Sequence, residues 1–85
     1  GLIFKVQIAT SSQKKELIPE NFNGIEAVSY YEAGGIYRYT VGNEKSIEAA
    51  NILQLKLKEK GFTDAFIVAF NNGKRISLSE ALNMK

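Results

Sequence analysis

The alternation of apolar and polar side chains over residues 3–9 constrains the fold more than any other feature of the chain. It indicates a strand with one buried face and one open face. Other elements of the chain must cover the apolar face. A shift of one residue in the pairing of this strand would turn all of its apolar side chains to the opposite face. That face carries Phe4, Val6 and Ile8, and the other carries Lys5 and Gln7.

Two further strands and a helix are predicted in the middle of the chain. Ala27 to Glu32 and Ile36 to Gly42 are rich in Val, Tyr and Thr and flank two glycines, which predicts a β-hairpin. Apolar residues at four-residue spacing then predict a helix over Ser46 to Lys60, ended by Gly61. The residues of this apolar stripe are Ala49, Leu53 and Leu57, and Phe62 is placed to pack on the last turn.

A long polar connection separates the first strand from the hairpin. It runs from Thr10 to Gly24 and contains Pro19. Its pattern predicts at most one short helix, around Gln13 to Leu17. Leu17 and Phe22 are its apolar anchors.

The C-terminal part predicts one more strand and a tail helix. Asp64 to Phe70 reads as a strand that is apolar on both faces, closed by turn residues 71–73. Ser77 and Glu80 predict a capping box for a helix that ends near Met84. We therefore expect one α+β domain over residues 1–85, with a ferredoxin-like βαββαβ order, a four-stranded antiparallel sheet, helices on one face and a C-terminal tail helix.

Composition removes most catalytic chemistry. The chain has no His, which is the commonest general base, and no Cys, which is the usual thiolate nucleophile. His and Cys are also the usual zinc ligands. We therefore expect no catalytic residue, no metal and no cofactor. A net charge of +2 gives no support to nucleic-acid binding. The longest apolar run, Ala65 to Phe70, is too short for membrane insertion.

One face of the predicted sheet is covered by helices, and the other is the candidate working surface. The covered face takes Phe4, Val6, Ile8, Tyr37, Tyr39 and Val41. The open face takes Lys5, Gln7, Ile36, Arg38, Thr40, Phe66, Val68 and Phe70. Hydrogen-bonding groups beside apolar carbon suit a carbohydrate, whose rings have apolar faces and hydroxyl rims. The same pattern also fits a solvated sheet face without a ligand.

The fourth predicted strand leaves an apolar patch on the open face. Phe66, Val68 and Phe70 form this patch, and something should cover it. A ligand is one candidate cover. The other is the tail helix, whose apolar residues are Leu78, Leu82 and Met84.

The order and spacing of four segments carry a further signal. The segments are Val6 to Thr10, Tyr37 to Gly42, the helical set Ala49, Leu53, Leu57, Gly61 and Phe62, and Asp64 to Val68. They resemble, in turn, the first strand, the third strand, the second helix with its end, and the last strand of sporulation-related repeat (SPOR) domains. This resemblance extends from Phe4 to Phe70.

The resemblance implies a non-catalytic domain that binds peptidoglycan glycan strands stripped of their stem peptides. By position, it assigns sugar contacts to Gln7, Thr10, Ile36, Arg38 and Phe66, with Lys5, Thr40 and Val68 as additional candidates. Stripping exposes the lactyl carboxylate of muramic acid, and we expect Arg38, helped by Lys5, to pair with it. The chain departs from the family pattern at Ala9, where Gly is common, at Ser11, where Phe is common, and in its reduced first helix.

Part of the chain also resembles the C-terminal module of secreted N-acetylmuramoyl-L-alanine amidases of the Bacteroides group. The segments concerned are Phe4 to Ser12, Asp64 to Phe70 and Gly73 to Leu82. This resemblance implies that the chain is one module of a longer protein, with a hydrolase domain upstream. It also implies targeting to septal or stripped peptidoglycan, and a periplasmic or secreted location in the cell envelope.

Three other functions are compatible with this fold class. An RNA-recognition module needs aromatic residues on the open faces of strands one and three, where this sequence has Lys5, Gln7, Ile36 and Arg38. An acylphosphatase-like enzyme needs an anion cradle that residues 10–13 lack. A protein-interaction or small-ligand regulatory domain stays open, as does a homodimer through the Phe66 to Phe70 edge.

Overall fold

The computed structural model describes residues 1–84, which form one five-stranded antiparallel sheet and two α-helices. The strand order is β2-β3-β1-β4-β5. The strands are β1 (Leu2–Ser11), β2 (Val28–Ala33), β3 (Ile36–Glu44), β4 (Phe66–Asn71) and β5 (Lys74–Ile76), and the helices are α1 (Ile47–Glu59) and α2 (Leu78–Asn83). The α+β class and the antiparallel sheet are confirmed. No helix in the described part of the chain is long and apolar enough to cross a membrane.

The fifth strand corrects the prediction of four. The turn predicted at residues 71–73 is present, with positive φ at Asn72 and Gly73, but it leads into β5 and makes a second hairpin. Positive φ at two successive turn residues matches the right-handed twist of the flanking strands. In β5, Arg75 lies opposite Phe70 and Ile76 lies opposite Ala69. Three residues are too few to show an alternation, so the Asn72-Gly73 turn is the sequence signal for this hairpin.

The predicted short helix at Gln13 to Leu17 is wrong. The connection is irregular there, and its one helical turn is a 3-10 turn at Pro19–Asn21. The predicted helix has a single apolar residue, Leu17, which is 41% exposed, so a helix would gain almost no burial. Phe22 is buried against the sheet, and thus the second predicted anchor is correct.

Helix α1 agrees with its prediction to within one residue at each end. The Ser46 side chain accepts a hydrogen bond from the backbone N–H of Ala49 at 3.1 Å and begins the helix. Gly61 has φ +106°, and the Phe62 N–H then donates to the carbonyl of Leu57. The first core cluster lies beneath α1 and the connection: Val6, Phe22, Val28, Tyr39, Val41, Leu57 and Ala65.

Helix α2 packs on the same side of the sheet as α1. Half of the predicted capping box is present: the Ser77 hydroxyl accepts from the backbone N–H of Glu80 at 3.0 Å, without the reciprocal bond from the Ser77 N–H to the Glu80 side chain. Ala81 lies in the second core cluster with Phe4, Ala50 and Ala69. The tail helix therefore does not cover the opposite face, where Phe66 and Phe70 lie.

Candidate functional site

The sheet face opposite the helices is the candidate site, and we call it the open face. Cross-strand pairs define it, because residues directly opposite each other in a ladder point to the same side. Its residues are Ser29 and Tyr31 from β2, Ile36, Arg38 and Thr40 from β3, Ile3, Lys5, Gln7 and Thr10 from β1, Phe66, Val68 and Phe70 from β4, and Arg75 from β5. All eight predicted site residues lie on this face.

An irregularity in β1 places Thr10 on the open face. Gln7 lies opposite Thr40, but Ala9 then lies opposite Tyr39, so β1 carries one extra residue between these pairs. Strict alternation from Gln7 would have turned Thr10 toward the helices. With the extra residue, Thr10 lies opposite Arg38, and the two side chains share the open face.

Gln7 is buried in the middle of the open face, and the Tyr31 hydroxyl fixes one end of its amide. This hydroxyl donates to Gln7 Oε1 at 2.9 Å. The amide oxygen is thereby satisfied, while the amide NH2 group makes no hydrogen bond within residues 1–84. Gln7 is therefore oriented to donate to a bound molecule.

Arg38 has an unusual environment for a cation. It is half-buried between Thr10 on one neighbouring strand and Tyr31 on the other. Its Nε atom is buried and has no hydrogen-bond partner among the described residues. A buried, unpaired donor of a guanidinium is energetically costly, so this position favours an incoming anion or hydrogen-bond acceptor.

The remaining predicted residues differ in accessibility. Phe66 is 45% exposed beside Gln7, and Ile36 is exposed near the β2–β3 turn. Thr40 and Val68 are almost fully buried and form the floor of the face, where the Thr40 hydroxyl shares a hydrogen bond with that of Ser29 at 3.1 Å.

The predicted exposure of Phe70 is wrong. Phe70 is only 8% exposed, because the ring of Tyr31 packs edge-on against it with the ring centroids 5.1 Å apart. The Lys5 ammonium lies 5.5 Å from the centroid of the Phe70 ring. The patch is therefore covered by side chains of the sheet itself, and only Phe66 keeps a large exposed surface.

Four residues of the open face escaped the sequence prediction: Ile3, Ser29, Tyr31 and Arg75. Tyr31 lies on an edge strand yet reaches Gln7 and Phe70, and a strict reading of the β2 alternation would have found it. Arg75 lies on the three-residue β5, and the sequence signal for that strand is the Asn72-Gly73 turn before it.

The open face is positively charged. It carries Lys5, Arg38 and Arg75 and no carboxylate. A cleft of about 280 Å³ lies on it, with walls that include Lys5, Tyr31, Asn43 and Phe70. Cations beside aromatic carbon and hydrogen-bond donors suit an anionic ligand with apolar surfaces.

One of three comparisons with known proteins finds a match. The model of the SPOR domain family matches residues 3–69, which contain every predicted site residue. No curated protein and no solved structure matches the chain. Residues 1–84 contain no group of three or more His, Cys, Asp or Glu side chains that could hold a metal ion. The chain therefore belongs to the SPOR domain family, a family of non-catalytic modules that bind peptidoglycan.

Proposed function

We propose that the open face binds peptidoglycan glycan strands from which the stem peptides have been removed, and that Arg38 pairs with the exposed lactyl carboxylate of muramic acid. In an intact strand this carboxylate is held in an amide and carries no charge. The observation that carries the proposal is the buried Arg38 Nε without a hydrogen-bond partner, on a face without carboxylates. A carboxylate is the natural bidentate partner of a guanidinium.

The neighbours of Arg38 supply the remaining contacts. The Gln7 NH2 group and the exposed Thr10 hydroxyl donate to sugar hydroxyl or acetamido oxygens. Ile36 and Phe66 are the exposed apolar residues of the face, and they pack on the apolar faces of the sugar rings. Thr40 and Val68 support these contacts from the floor, and Lys5 adds positive charge.

In the whole protein, the domain would hold an attached cell-wall hydrolase at its substrate. The resemblance of the chain to the C-terminal modules of N-acetylmuramoyl-L-alanine amidases supports such an enzyme upstream. An amidase removes stem peptides and so creates the strands that the domain binds. The domain would then concentrate at septal or otherwise stripped peptidoglycan, in the periplasm or outside the cell.

A ferredoxin-like arrangement with one added strand is the architecture we propose for this function. The antiparallel order β2-β3-β1-β4 supports it, with β5 appended at the edge next to β4. The connection after β1 takes the place of a first helix and is anchored by Phe22.

Co-sedimentation with purified sacculi, untreated and amidase-stripped, tests the proposal. Wild-type protein should bind stripped sacculi more tightly. Arg38→Gln should lose about tenfold in affinity for stripped sacculi, the effect expected for one charge-assisted contact. Arg38→Lys should also bind more weakly, because an ammonium cannot make the bidentate contact.

Lys58→Gln is the matched control, because it removes the same charge from an exposed position of α1 on the other side of the sheet. Equal binding of wild type and Arg38→Gln to stripped sacculi would refute the role of Arg38. No binding of the wild type to either preparation would refute the proposed function.

A protein-interaction function is the second candidate, and one observation favours it. Ile52 and Leu55 are 58% and 63% exposed on the outer surface of α1, away from the sheet. If this surface serves a separate partner, the double change Ile52→Ser and Leu55→Ser should leave sacculus binding unchanged. A loss of sacculus binding in a folded double variant would place the glycan site on α1 instead.

A further inference from the structure

Strand β5 brings a cation to the open face from outside the segment that matches the family model. The match ends at residue 69, whereas Arg75 lies beyond it and opposite Phe70 in the β4–β5 ladder. The exposed Arg75 side chain extends over the sheet, and its Nε donates to the Tyr31 hydroxyl at 3.4 Å. Tyr31 and Arg75 start from strands at opposite edges of the sheet, about 19 Å apart if the sheet were flat. Together they bridge the open face.

A continuous chain of contacts links this bridge to a second cation. Arg75 contacts Tyr31, the Tyr31 ring packs edge-on against Phe70, and the Lys5 ammonium lies over the Phe70 ring. We call these four residues the Tyr31 cluster. Each of the two cations thus contacts one ring of a packed aromatic pair on the open face.

Both cations of the Tyr31 cluster lack an acidic partner. No carboxylate lies on the open face, and neither Lys5 nor Arg75 makes an ion pair within residues 1–84. The cleft of about 280 Å³ is bordered by Lys5, Tyr31 and Phe70. Arg75 is not one of the residues that line this cleft, and it meets the cleft through Tyr31.

Lys5 and Arg75 start from backbone positions well away from Arg38, whereas Tyr31 lies directly opposite Arg38 in the β2–β3 ladder. Lys5 precedes Thr10, the cross-strand partner of Arg38, by five residues on β1. Without the extra residue of β1, four residues at about 3.3 Å each give a separation of roughly 13 Å along the strand. Backbone positions this far apart favour separate ligand contacts for Arg38 and Lys5.

We infer that Lys5 and Arg75 form a second anion-binding position, which binds a second lactyl carboxylate of the same glycan strand. The inference rests on the proposed function of the open face. It gives the domain a specificity that one arginine cannot provide, because a strand must carry two free carboxylates to contact both positions. The domain would thereby distinguish extensively stripped peptidoglycan from a strand that has lost a single stem peptide.

A double-mutant cycle between protein and ligand tests the second position. The ligands are a peptidoglycan tetrasaccharide with both lactyl carboxylates free and the same tetrasaccharide with one carboxylate blocked as a methyl amide. Binding is measured by titration calorimetry for wild type, Arg75→Gln and Lys5→Gln. Lys74→Gln is the matched control, since it removes a charge from the neighbouring exposed residue, which does not share the open face.

The second position predicts strong coupling between the protein and ligand changes. Blocking one carboxylate should weaken wild-type binding about tenfold, and Arg75→Gln should weaken binding of the doubly charged ligand by a similar factor. Arg75→Gln should then bind the two ligands nearly equally. Lys5→Gln should behave in the same way, and Lys74→Gln should behave as wild type.

Other outcomes would overturn the inference. If Arg75→Gln binds the doubly charged ligand as tightly as wild type does, this side chain does not contact the second carboxylate. The same conclusion follows if the losses in binding free energy from Arg75→Gln and from blocking one carboxylate are additive. An equal loss in Lys74→Gln would show an effect of net charge rather than of position. A wild type that binds the two tetrasaccharides equally well would contradict only the second position, whereas a wild type that binds neither tetrasaccharide would contradict the proposed function itself.

Discussion

The hydroxyl of Tyr31 donates a hydrogen bond to Oε1 of Gln7 at 2.9 Å, although the two residues lie on strands that are not neighbours. Strand β3 separates them, so the tyrosine side chain must extend across it. The bond leaves the NH2 group of Gln7 as the free end of the amide. In the proposed glycan site, Tyr31 is therefore a positioning residue that acts through Gln7.

Tyr31→Phe tests this role. The change keeps the ring against Phe70 but removes the hydroxyl, so the Gln7 amide loses its fixed orientation. We expect a loss of about 1 kcal/mol in the free energy of unfolding, as for one part-buried hydrogen bond, and severalfold weaker binding to stripped sacculi. In the amide NMR spectrum, the side-chain NH2 signals of Gln7 should shift or broaden.

Tyr37→Phe is the control for that change, because the Tyr37 hydroxyl makes no hydrogen bond within residues 1–84 and its ring packs on the helix side of the sheet. It should bind as wild type does. If Tyr31→Phe leaves both glycan binding and the Gln7 signals unchanged, Tyr31 has no positioning role.

The Tyr39 hydroxyl anchors the irregular connection, which leads to a second prediction. Tyr39 is fully buried in the core, and its hydroxyl oxygen accepts the backbone N–H of Lys15 at 2.7 Å. In Tyr39→Phe this N–H loses its partner, and we expect a cost of about 1–2 kcal/mol in the free energy of unfolding. Hydrogen exchange of the Lys15 amide should become much faster. Unchanged exchange at Lys15 would show that other contacts hold the connection.

The regular elements of the fold were predictable because their signals are local. Alternation in β1 correctly placed Phe4 and Val6 in the core and Gln7 on the open face. The apolar spacing and the cap residues gave α1 nearly to its ends, since Ser46 and Gly61 act on the backbone beside them. These features depend on residues close in sequence and so need no knowledge of the tertiary structure.

The features that shape the site are not local, and for that reason they were missed. The extra residue in β1 that turns Thr10 toward Arg38 is set by pairing with β3, and alternation alone gives the opposite face. The bridge from Tyr31 to Arg75 depends on strand order, because it joins the two edges of the sheet. The resemblance assigned Thr10 by position, and pairing in the sheet supplies the physical reason.

Gly42 is the position where a side chain would disturb the core, which gives a third prediction. It has φ +92°, and an added Cβ would overlap the side chain of Leu53 on α1. Gly42→Ala should therefore lower the free energy of unfolding by at least about 2 kcal/mol, from backbone strain and the clash together. Urea unfolding measures this loss.

Gly24→Ala separates the two causes. Gly24 has a similar φ of +86°, but nothing lies within 4 Å of an added Cβ. It should cost only the strain, about 1–2 kcal/mol. Equal losses at the two positions would mean that Leu53 moves aside without cost.

The pH dependence of glycan binding follows from the charges on the open face. The chain has no His, and the open face carries Lys5, Arg38 and Arg75 without a carboxylate. The group that titrates near the acid limit is the lactyl carboxylate of the ligand, with a pKa of about 3.5, as for other carboxyl groups. A carboxylate pairs with the guanidinium only when ionised.

Binding should therefore be constant from pH 5 to 8 and should fall as the pH drops through the pKa of the ligand. Titration calorimetry with the stripped tetrasaccharide, with circular dichroism to verify folding at each pH, measures this dependence. Binding that stays constant below the pKa of the ligand while the domain remains folded would mean that the sugar hydroxyls, and not the carboxylate, supply the affinity.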